Sequence, residues 1–128
     1  MKILGLGTDI VECARIEAAI ARQGEAFVRR VFTDAEALYC ARMKNPMPHY
    51  AARFAAKEAV SKAFGTGIGA VRLLEVEVVR EESGRPLVAL HGDTAALAKT
   101  MGITEVQLSL SHTEQYAVAT AIAVGRAD

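Results

Sequence analysis

The sequence predicts an α+β fold, a single compact domain in which an antiparallel sheet packs against one long helix. Its 128 residues are 52% apolar and 23% charged, which is typical of one globular domain, and we assign 1–128 to it. Residues alternate between two faces over 2–10 and again over 106–111, as they do in half-buried strands, and a final strand is expected at about 116–124. Residues 48–64 repeat apolar side chains at helical spacing and form the longest predicted element.

Charge and composition exclude several classes of protein. The 15 Lys and Arg residues balance the 15 Asp and Glu residues, which argues against capture of nucleic acid or of an anionic membrane surface. No apolar run approaches the roughly 20 residues that a membrane helix needs, and no cleavable apolar segment follows Met1. Cys13 and Cys40 lack metal-ligand spacing and are expected to be buried, reduced thiols. We therefore expect a cytoplasmic protein whose partners include neither nucleic acid nor membrane.

The first strand, over 2–10, places an acidic residue on a nearly bare face. Gly5, Gly7 and Asp9 lie on the same side of this strand, and we expect the two glycines to leave room there for a ligand. Two interpretations of Asp9 are open. It is either a ligand-binding carboxylate or the cap of the helix that follows over about 13–23.

Shorter elements account for most of the remaining chain. The helix over about 13–23 ends at Gly24, and the capping-box spacing of Thr33 and Glu36 starts another that reaches about Met43. After the long helix, the pattern predicts strands over 74–78, 87–90 and 106–111, a turn at 83–86, and a helix from a cap at Asp93 to Met101.

The long helix has a small polar face opposite its alanine-rich side. That face carries Phe54, Glu58, Ser61, Lys62 and Gly65, with Arg53 and Lys57 expected near its edge. Glu58 and Lys62 are four residues apart, the spacing of a surface salt bridge. The alternative is a ligand site, in which Asp9 and Glu58 hold Mg²⁺ over a phosphorylated ligand and Lys62 neutralises a leaving phosphate. That arrangement favours phosphoryl chemistry.

Ser109, Ser111 and His112 form a third polar group, at the end of a strand. The pattern is compatible with a solvated hairpin, with a Ser–His nucleophile pair, and with a histidine that donates to a phosphate. The last is favoured over the nucleophile pair because no acid is implied that would orient the histidine. His49 and His91 have no motif around them and are interpreted as incidental.

Arg15 and Arg22 are seven residues apart on the first helix and therefore share one face. Such residues usually form a solvated face. In a chain without net charge, a local basic ridge also suits the docking of an acidic protein.

Five motifs in order, spread over nearly the whole chain, resemble those of the holo-acyl-carrier-protein synthase family of 4′-phosphopantetheinyl transferases. They are Gly-Thr-Asp-Ile-Val-Glu at 7–12, Arg-Phe with Lys-Glu-Ala and Lys-Ala across 53–63, Gly-Thr-Gly at 65–67, Gly-Arg-Pro at 84–86 and Ser-Leu-Ser-His-Thr at 109–113. The resemblance implies the fold of that family. It also implies transfer of the phosphopantetheine arm of coenzyme A to a serine of apo-acyl carrier protein, in fatty acid biosynthesis, with adenosine 3′,5′-bisphosphate as the other product.

The resemblance further implies roles for individual residues. Asp9 and Glu58 would hold Mg²⁺ on the pyrophosphate, and Lys62 would stabilise the charge that develops there. Either Glu58 or a metal-bound water would accept the serine proton. The residues implied to bind the coenzyme are Arg53, Lys62, Gly65, Ser111 and His112, and those implied to receive the acidic carrier protein are Arg15 and Arg22.

The resemblance also bears on assembly. Short members of the family resemble trimers with shared sites, so we expect a homotrimer in which Asp9 and Glu58 of one subunit meet His112 of its neighbour. Two other classes of function stay open. One is a Mg²⁺-dependent nucleotide pyrophosphatase, which needs no carrier-binding helix, and the other is a non-catalytic module that binds coenzyme A or a carrier protein.

Overall fold

The chain begins and ends with a long strand, and its helices lie between them in sequence. The computed structural model describes residues 1–67 and 69–127. In chain order the elements are β1 (Lys2–Glu12), α1 (Cys13–Gln23), α2 (Glu25–Val31), α3 (Asp34–Ala41), α4 (Pro46–Phe64), a 3₁₀ turn (Leu73–Glu75), β2 (Val76–Arg80), β3 (Pro86–Leu90), α5 (Gly92–Thr100), β4 (Ile103–His112) and β5 (Tyr116–Gly125).

The strands form two antiparallel sheets. β1, β5 and β4 make a three-stranded sheet in that order, and β2 pairs with β3 in a separate hairpin. In the larger sheet, Asp9 lies opposite Ala119, which in turn lies opposite Leu110. The predicted α+β fold, with an antiparallel sheet and one long helix packed on it, is confirmed.

Small residues line the contact between α4 and this sheet. Alternate residues of β5 are buried alanines, and α4 presents buried alanines of its own. They are Ala117, Ala119, Ala121 and Ala123 on the strand and Ala51, Ala52, Ala55, Ala56, Ala59 and Ala63 on the helix. With only methyl groups between them, the two backbones approach closely, and the inner face of the sheet is the one that α4 covers.

Two glycines of β1 bring α4 closest. A Cβ atom at Gly5 would overlap the carbonyl oxygen of Ala63, and one at Gly7 would overlap that of Ala59. Glycine is therefore required at both positions. The prediction that Gly5 and Gly7 leave room for a ligand is wrong, because the helix itself fills that room.

α2 was not predicted, because Gly24 was interpreted only as a stop. Gly24 has a φ of 58° and donates its N–H to the carbonyl oxygen of Ile20, which ends α1. The next residue begins α2, whose buried side chains are Phe27, Val28 and Val31. One glycine thus turns the chain between two consecutive helices.

The start of α5 also differs from the prediction. Its N-cap is His91, and Asp93 lies inside the first turn. Glu75 supplies the missing cap from outside the helix, since its carboxylate accepts the N–H groups of Asp93 at 3.2 Å and Thr94 at 3.0 Å. This contact accompanies the 3₁₀ turn at Leu73–Glu75, so β2 begins at Val76, two residues later than predicted.

Two predictions from composition concern the cysteines and the membrane. Cys13 and Cys40 are buried free thiols, as predicted, and burial is the main cause that raises the pKa of Cys40 to about 11. Among the helices of the described residues, none is both long enough and apolar enough to cross a membrane.

Candidate active site

Asp9 of β1 and Lys62 of α4 form an ion pair. Lys62 Nζ lies 3.0 Å from Asp9 Oδ1 and donates to the carbonyl oxygen of Thr8, also at 3.0 Å. The side chain of Asp9 is 17% exposed and that of Lys62 is 55% exposed. Asp9 is not the cap of α1, because the N-cap residue of that helix is Glu12. The salt bridge of Lys62 therefore joins α4 to β1, rather than joining two turns of α4 as the spacing of Glu58 and Lys62 allowed.

Glu58 shares this site with Asp9. Burial raises the pKa of Glu58, the negative charge of Asp9 raises it further, and the charges of Lys62 and Arg15 oppose the shift. The negative charge of Asp9 is thus close enough to oppose ionisation of Glu58, so a cation near the two carboxylates is favourable.

The pocket beside these carboxylates has a volume of about 450 Å³. Its lining residues are Glu58, Ser61, Lys62, Gly65 and Gly67. Gly65 caps the C-terminus of α4 in the left-handed conformation, with φ at 69°, so α4 ends there and the wall carries no side chain at that point. Four of the five residues predicted for the polar face of α4, Glu58, Ser61, Lys62 and Gly65, therefore line a pocket large enough for a phosphorylated ligand, whereas Phe54 lines a different groove.

The donor set at this site fits a magnesium ion that is shared with a ligand. Within residues 1–67 and 69–127, no cluster of three or more His, Cys, Asp or Glu side chains could hold a metal. Asp9 and Glu58 would supply two carboxylates, and water and ligand phosphates would complete the shell. This is the usual coordination of Mg²⁺ in phosphoryl-transfer sites.

Arg53 lies elsewhere on α4, in a second cluster. It precedes Glu58 by five residues, or about 140° around the helix. Its guanidinium carbon lies 4.0 Å from the centre of the Tyr39 ring, and that of Arg80 lies 5.5 Å from the same ring. Although Arg53 is only 2% exposed, its Nε and Nη1 atoms have no hydrogen-bond partner among the described residues. The prediction that Arg53 and Lys57 lie near the edge of the polar face is wrong, since both are buried.

His49 connects His112 to the cluster of Arg53, Tyr39 and Arg80, which we call the Arg53 cluster. The two imidazole rings are 4.8 Å apart, and the ring of Tyr39 is 6.1 Å from that of His49. Burial lowers the pKa of His49, and the neighbouring His112, Arg53 and Arg80 lower it further. The cluster is therefore cationic and aromatic, which suits an anion. Sequence analysis missed His49 because no local pattern signals a contact between α4 and the end of β4.

Ser111 lies on the other side of the sheet. It pairs with Val118, which pairs with Ile10, and all three belong to the face that α4 does not cover. Within one chain the fold thus brings Asp9, Glu58, Lys62 and Gly65 together, brings Arg53 and His112 together, and leaves Ser111 apart from both groups.

Arg15 and Arg22 line a groove between α1 and α4. The groove has a volume of about 250 Å³ and is also lined by Ile16, Ala18, Ala19, Phe27 and Phe54. Its chemistry is an apolar floor with two guanidinium groups, a combination that suits an acidic amphipathic partner. The sequence indicated the arginines, but the aromatic floor depends on how α2 and α4 pack and was not predicted.

The chain matches the family model of the 4′-phosphopantetheinyl transferase superfamily over residues 5–121. It therefore belongs to this superfamily, and the resemblance seen in its motifs is confirmed.

Relatives within the superfamily are similar along nearly their whole length. The holo-[acyl-carrier-protein] synthase of Koribacter versatilis is 50% identical over 121 residues, covering 94% of this chain and 97% of that protein. The crystal structure of Neisseria meningitidis holo-[acyl-carrier-protein] synthase aligns with a TM-score of 0.88 at 36% identity, covering 95% of this chain and 98% of that one. A Bacillus anthracis holo-(acyl-carrier-protein) synthase in complex with CoA (3′,5′-ADP) aligns with a TM-score of 0.80 at 34% identity, covering 98% and 100%.

Proposed function

We propose that this protein transfers the 4′-phosphopantetheine arm of coenzyme A to a serine hydroxyl of apo-acyl carrier protein, for fatty acid biosynthesis. The serine oxygen forms a bond to the phosphorus next to pantetheine, and the bond from that phosphorus to adenosine 3′,5′-bisphosphate breaks. One observation carries the proposal: Asp9, Glu58 and Lys62 converge beside one pocket on a fold shared with holo-acyl-carrier-protein synthases. The buried free thiols of Cys13 and Cys40 support a cytoplasmic location.

Asp9 and Glu58 would hold Mg²⁺ in this proposal, and the ion would supply positive charge beside the pyrophosphate of the coenzyme. The ammonium group of Lys62 stabilises the negative charge that develops on the departing phosphate. Its side chain is the more exposed partner of the Asp9 pair, and a lysine can redirect its ammonium group by rotating its flexible stem. Gly65 lets the ligand approach the end of α4 without a side chain in the way.

The phosphate of the coenzyme that lies outside its pyrophosphate is assigned to the Arg53 cluster. A buried guanidinium with free N–H groups is unfavourable unless an anion completes its hydrogen bonds. His112 and His49 lie in the same cluster, and each neutral imidazole ring carries one further N–H donor. Arg53 and His112 therefore bind phosphate in this proposal, whereas Ser111, on the opposite face of the sheet, would reach a coenzyme molecule held between subunits.

A homotrimer is part of the proposal. The side chains of Leu6, Ile10, Tyr116 and Val118 are 40–66% exposed on the outer face of the large sheet. An apolar sheet face of this kind is unusual in a monomer and supports burial against other copies. Ser111 lies on this same face.

Sharing of the site between subunits follows from the position of the two clusters. Glu58 and Arg53 lie on different sides of α4, so they line different pockets of one chain. A coenzyme molecule that touches both kinds of pocket is accommodated most simply across a subunit boundary. Asp9 and Glu58 would then come from one subunit, and His112 from its neighbour.

The acidic carrier protein docks on α1 in this proposal. Arg15 and Arg22 provide the charge, and the groove between them provides an apolar floor. Arg15 also influences the pKa of Glu58, so the docking surface borders the catalytic pocket. That proximity supports delivery of the acceptor serine to the site.

Intact mass spectrometry of apo-acyl carrier protein tests the proposed function. We expect incubation with this protein, coenzyme A and Mg²⁺ to add the mass of one phosphopantetheine, and we expect EDTA to abolish the change. Release of adenosine 3′,5′-bisphosphate with no mass change would instead indicate a pyrophosphatase. Coenzyme binding without either product would indicate a binding module.

A further inference from the structure

Lys57 and Glu36 form a fully buried ion pair behind the Arg53 cluster. Lys57 Nζ lies 2.7 Å from Glu36 Oε1, and both side chains are 0% exposed. Lys57 also donates to the carbonyl oxygens of Leu73 at 2.9 Å and Val76 at 2.6 Å. All three donors of this ammonium group are therefore used within the protein.

Glu36 is occupied on both of its oxygens. Besides the ammonium group of Lys57, Oε1 accepts the N–H of Thr33 at 2.9 Å, and Oε2 accepts the N–H of Val78 at 2.8 Å. The sequence predicted only the first part of this role, the capping box with Thr33, and that part is confirmed.

Glu36 and Arg53 line the same pocket, whose volume is about 410 Å³. The other carboxylate lining it, Glu77, accepts a hydrogen bond from Thr33 Oγ1 at 2.7 Å and lies 3.0 Å from His91 Nε2. Both carboxylates near Arg53 are thus held by other groups. The guanidinium retains Nε and Nη1 without a partner among the described residues, although Arg53 is nearly completely buried.

Such an arrangement needs an explanation, because a buried arginine ordinarily pairs with a nearby carboxylate. Glu36 is the natural partner by position. Its charge is neutralised instead by Lys57, one helical turn further along α4 than Arg53.

We propose that Lys57 is a positioning residue, which neutralises Glu36 and so keeps Arg53 free to bind a phosphate of the coenzyme. The inference rests on the proposed function, because it takes the anion of the Arg53 pocket to be coenzyme phosphate. Lys57 does not touch the ligand in this scheme. It decides whether the guanidinium faces the ligand or an internal carboxylate.

Three variants separate this role from simple structural support. Lys57→Met leaves a charged Glu36 that competes for Arg53, so we expect the Kd of adenosine 3′,5′-bisphosphate to rise about tenfold or more in calorimetry. Glu36→Gln breaks the same ion pair but creates no competitor, so its Kd is expected to equal or fall below that of the unmodified protein. In the double variant Glu36→Gln/Lys57→Met the competitor is also absent, and the Kd is expected to return to within about threefold of the original.

Kinetics supply a second readout. The KM for coenzyme A should rise in Lys57→Met while kcat changes little, because the reacting groups at Asp9 and Glu58 are untouched. Lys99→Met, which removes an exposed lysine of α5, is the matched control and should leave both constants unchanged.

The opposite pattern overturns the proposal. If Lys57 only supports the fold, Glu36→Gln weakens binding as much as Lys57→Met does, and the double variant is not rescued. Should Lys57→Met fail to fold, Glu36→Gln decides alone, since a loss of affinity in that variant contradicts the proposal. If the unmodified protein transfers phosphopantetheine to the carrier protein and all variants bind the bisphosphate equally, this inference is rejected. The proposed function then remains intact.

Discussion

Glu58 occupies a place where its negative charge is unfavourable. Burial and the neighbouring Asp9 both raise the pKa of this carboxyl group above its ordinary value. The folded protein therefore holds the Glu58 proton at pH values where the unfolded chain has released it. By linkage, the contribution of Glu58 to the free energy of unfolding is best at low pH and is lost as pH rises through the raised pKa. A bound cation at this site would relieve the same repulsion.

Glu58→Gln is predicted to stabilise the protein more at about pH 7 than at about pH 4, because the amide carries no charge at either pH. Urea unfolding of the metal-free protein at the two pH values measures the difference. Glu105→Gln, which changes an exposed carboxylate of β4, is the control. A larger gain at the lower pH would contradict the assigned direction of the shift.

Asp9→Ala is predicted to lower turnover by about 10²–10³-fold with folding intact, because one of the two carboxylates proposed to bind the metal is lost. Mass spectrometry of the carrier protein gives the rate, and thermal unfolding checks the fold. Asp93→Ala, whose parent side chain is 83% exposed, is the matched control and should retain full activity. Unchanged turnover in Asp9→Ala would favour the binding-module interpretation.

At the scale of elements, the contact between α4 and β1 places the site. The strand carries Asp9 and the helix carries Glu58 and Lys62, so any displacement of α4 separates the groups that act together in the proposed reaction. Gly7 controls this approach because a Cβ atom there would overlap the carbonyl oxygen of Ala59. Backbone atoms cannot move aside as flexible side chains can.

Gly7→Ala is accordingly predicted to cost about 3 kcal/mol of stability or to prevent folding. Gly65→Ala is the control, since a Cβ atom there would meet no described atom within 4 Å and only the left-handed backbone, with φ at 69°, opposes the change. We expect the control to cost about 1 kcal/mol. Equal losses in denaturant unfolding of the two variants would mean that the close helix–strand contact is not the cause.

α1 carries the second prediction at this scale. Arg15→Glu is expected to raise the KM for acyl carrier protein about tenfold or more while changing the Kd of coenzyme A much less, because charge reversal repels an acidic partner. Calorimetry with each ligand separates the two effects. Arg126→Glu, an exposed change near the C-terminus, makes the same charge change away from the groove. Unaltered carrier affinity in Arg15→Glu would remove α1 from the docking surface.

At the scale of the whole molecule, the proposed trimer makes each site depend on two chains. Asp9→Ala and His112→Ala should each be inactive alone. Mixed trimers of the two variants contain sites in which the intact Asp9 of one subunit meets the intact His112 of the next. With random mixing, we expect about a quarter of full activity to return.

The matched control for this experiment mixes the Asp9→Ala variant with the Glu58→Ala variant. Both of these substitutions fall in the same half of the site. That mixture should stay inactive. Light scattering verifies the trimer in each case. A fully active monomer, or no recovery in verified mixed trimers of Asp9→Ala and His112→Ala, would rule out the shared site.

The sequence by itself determined most of the elements and the main residues of the first pocket. Strand alternation over 2–10 and helical spacing over 48–64 are local patterns, and they depend only on neighbours along the chain. The same periodicity placed Glu58 and Lys62 on one polar face. The family resemblance then indicated Glu58 as the partner of Asp9, because it links motifs that lie far apart in sequence.

Only the tertiary structure decided what each face contacts. Gly5 and Gly7 accommodate α4 rather than a ligand, and Arg53 is buried against Tyr39 rather than placed near the edge of the polar face. His49 gains its place from a contact with His112, more than sixty residues away along the chain. Spacing along a helix fixes the angle between side chains, but the partner that covers each angle depends on the packing of distant elements.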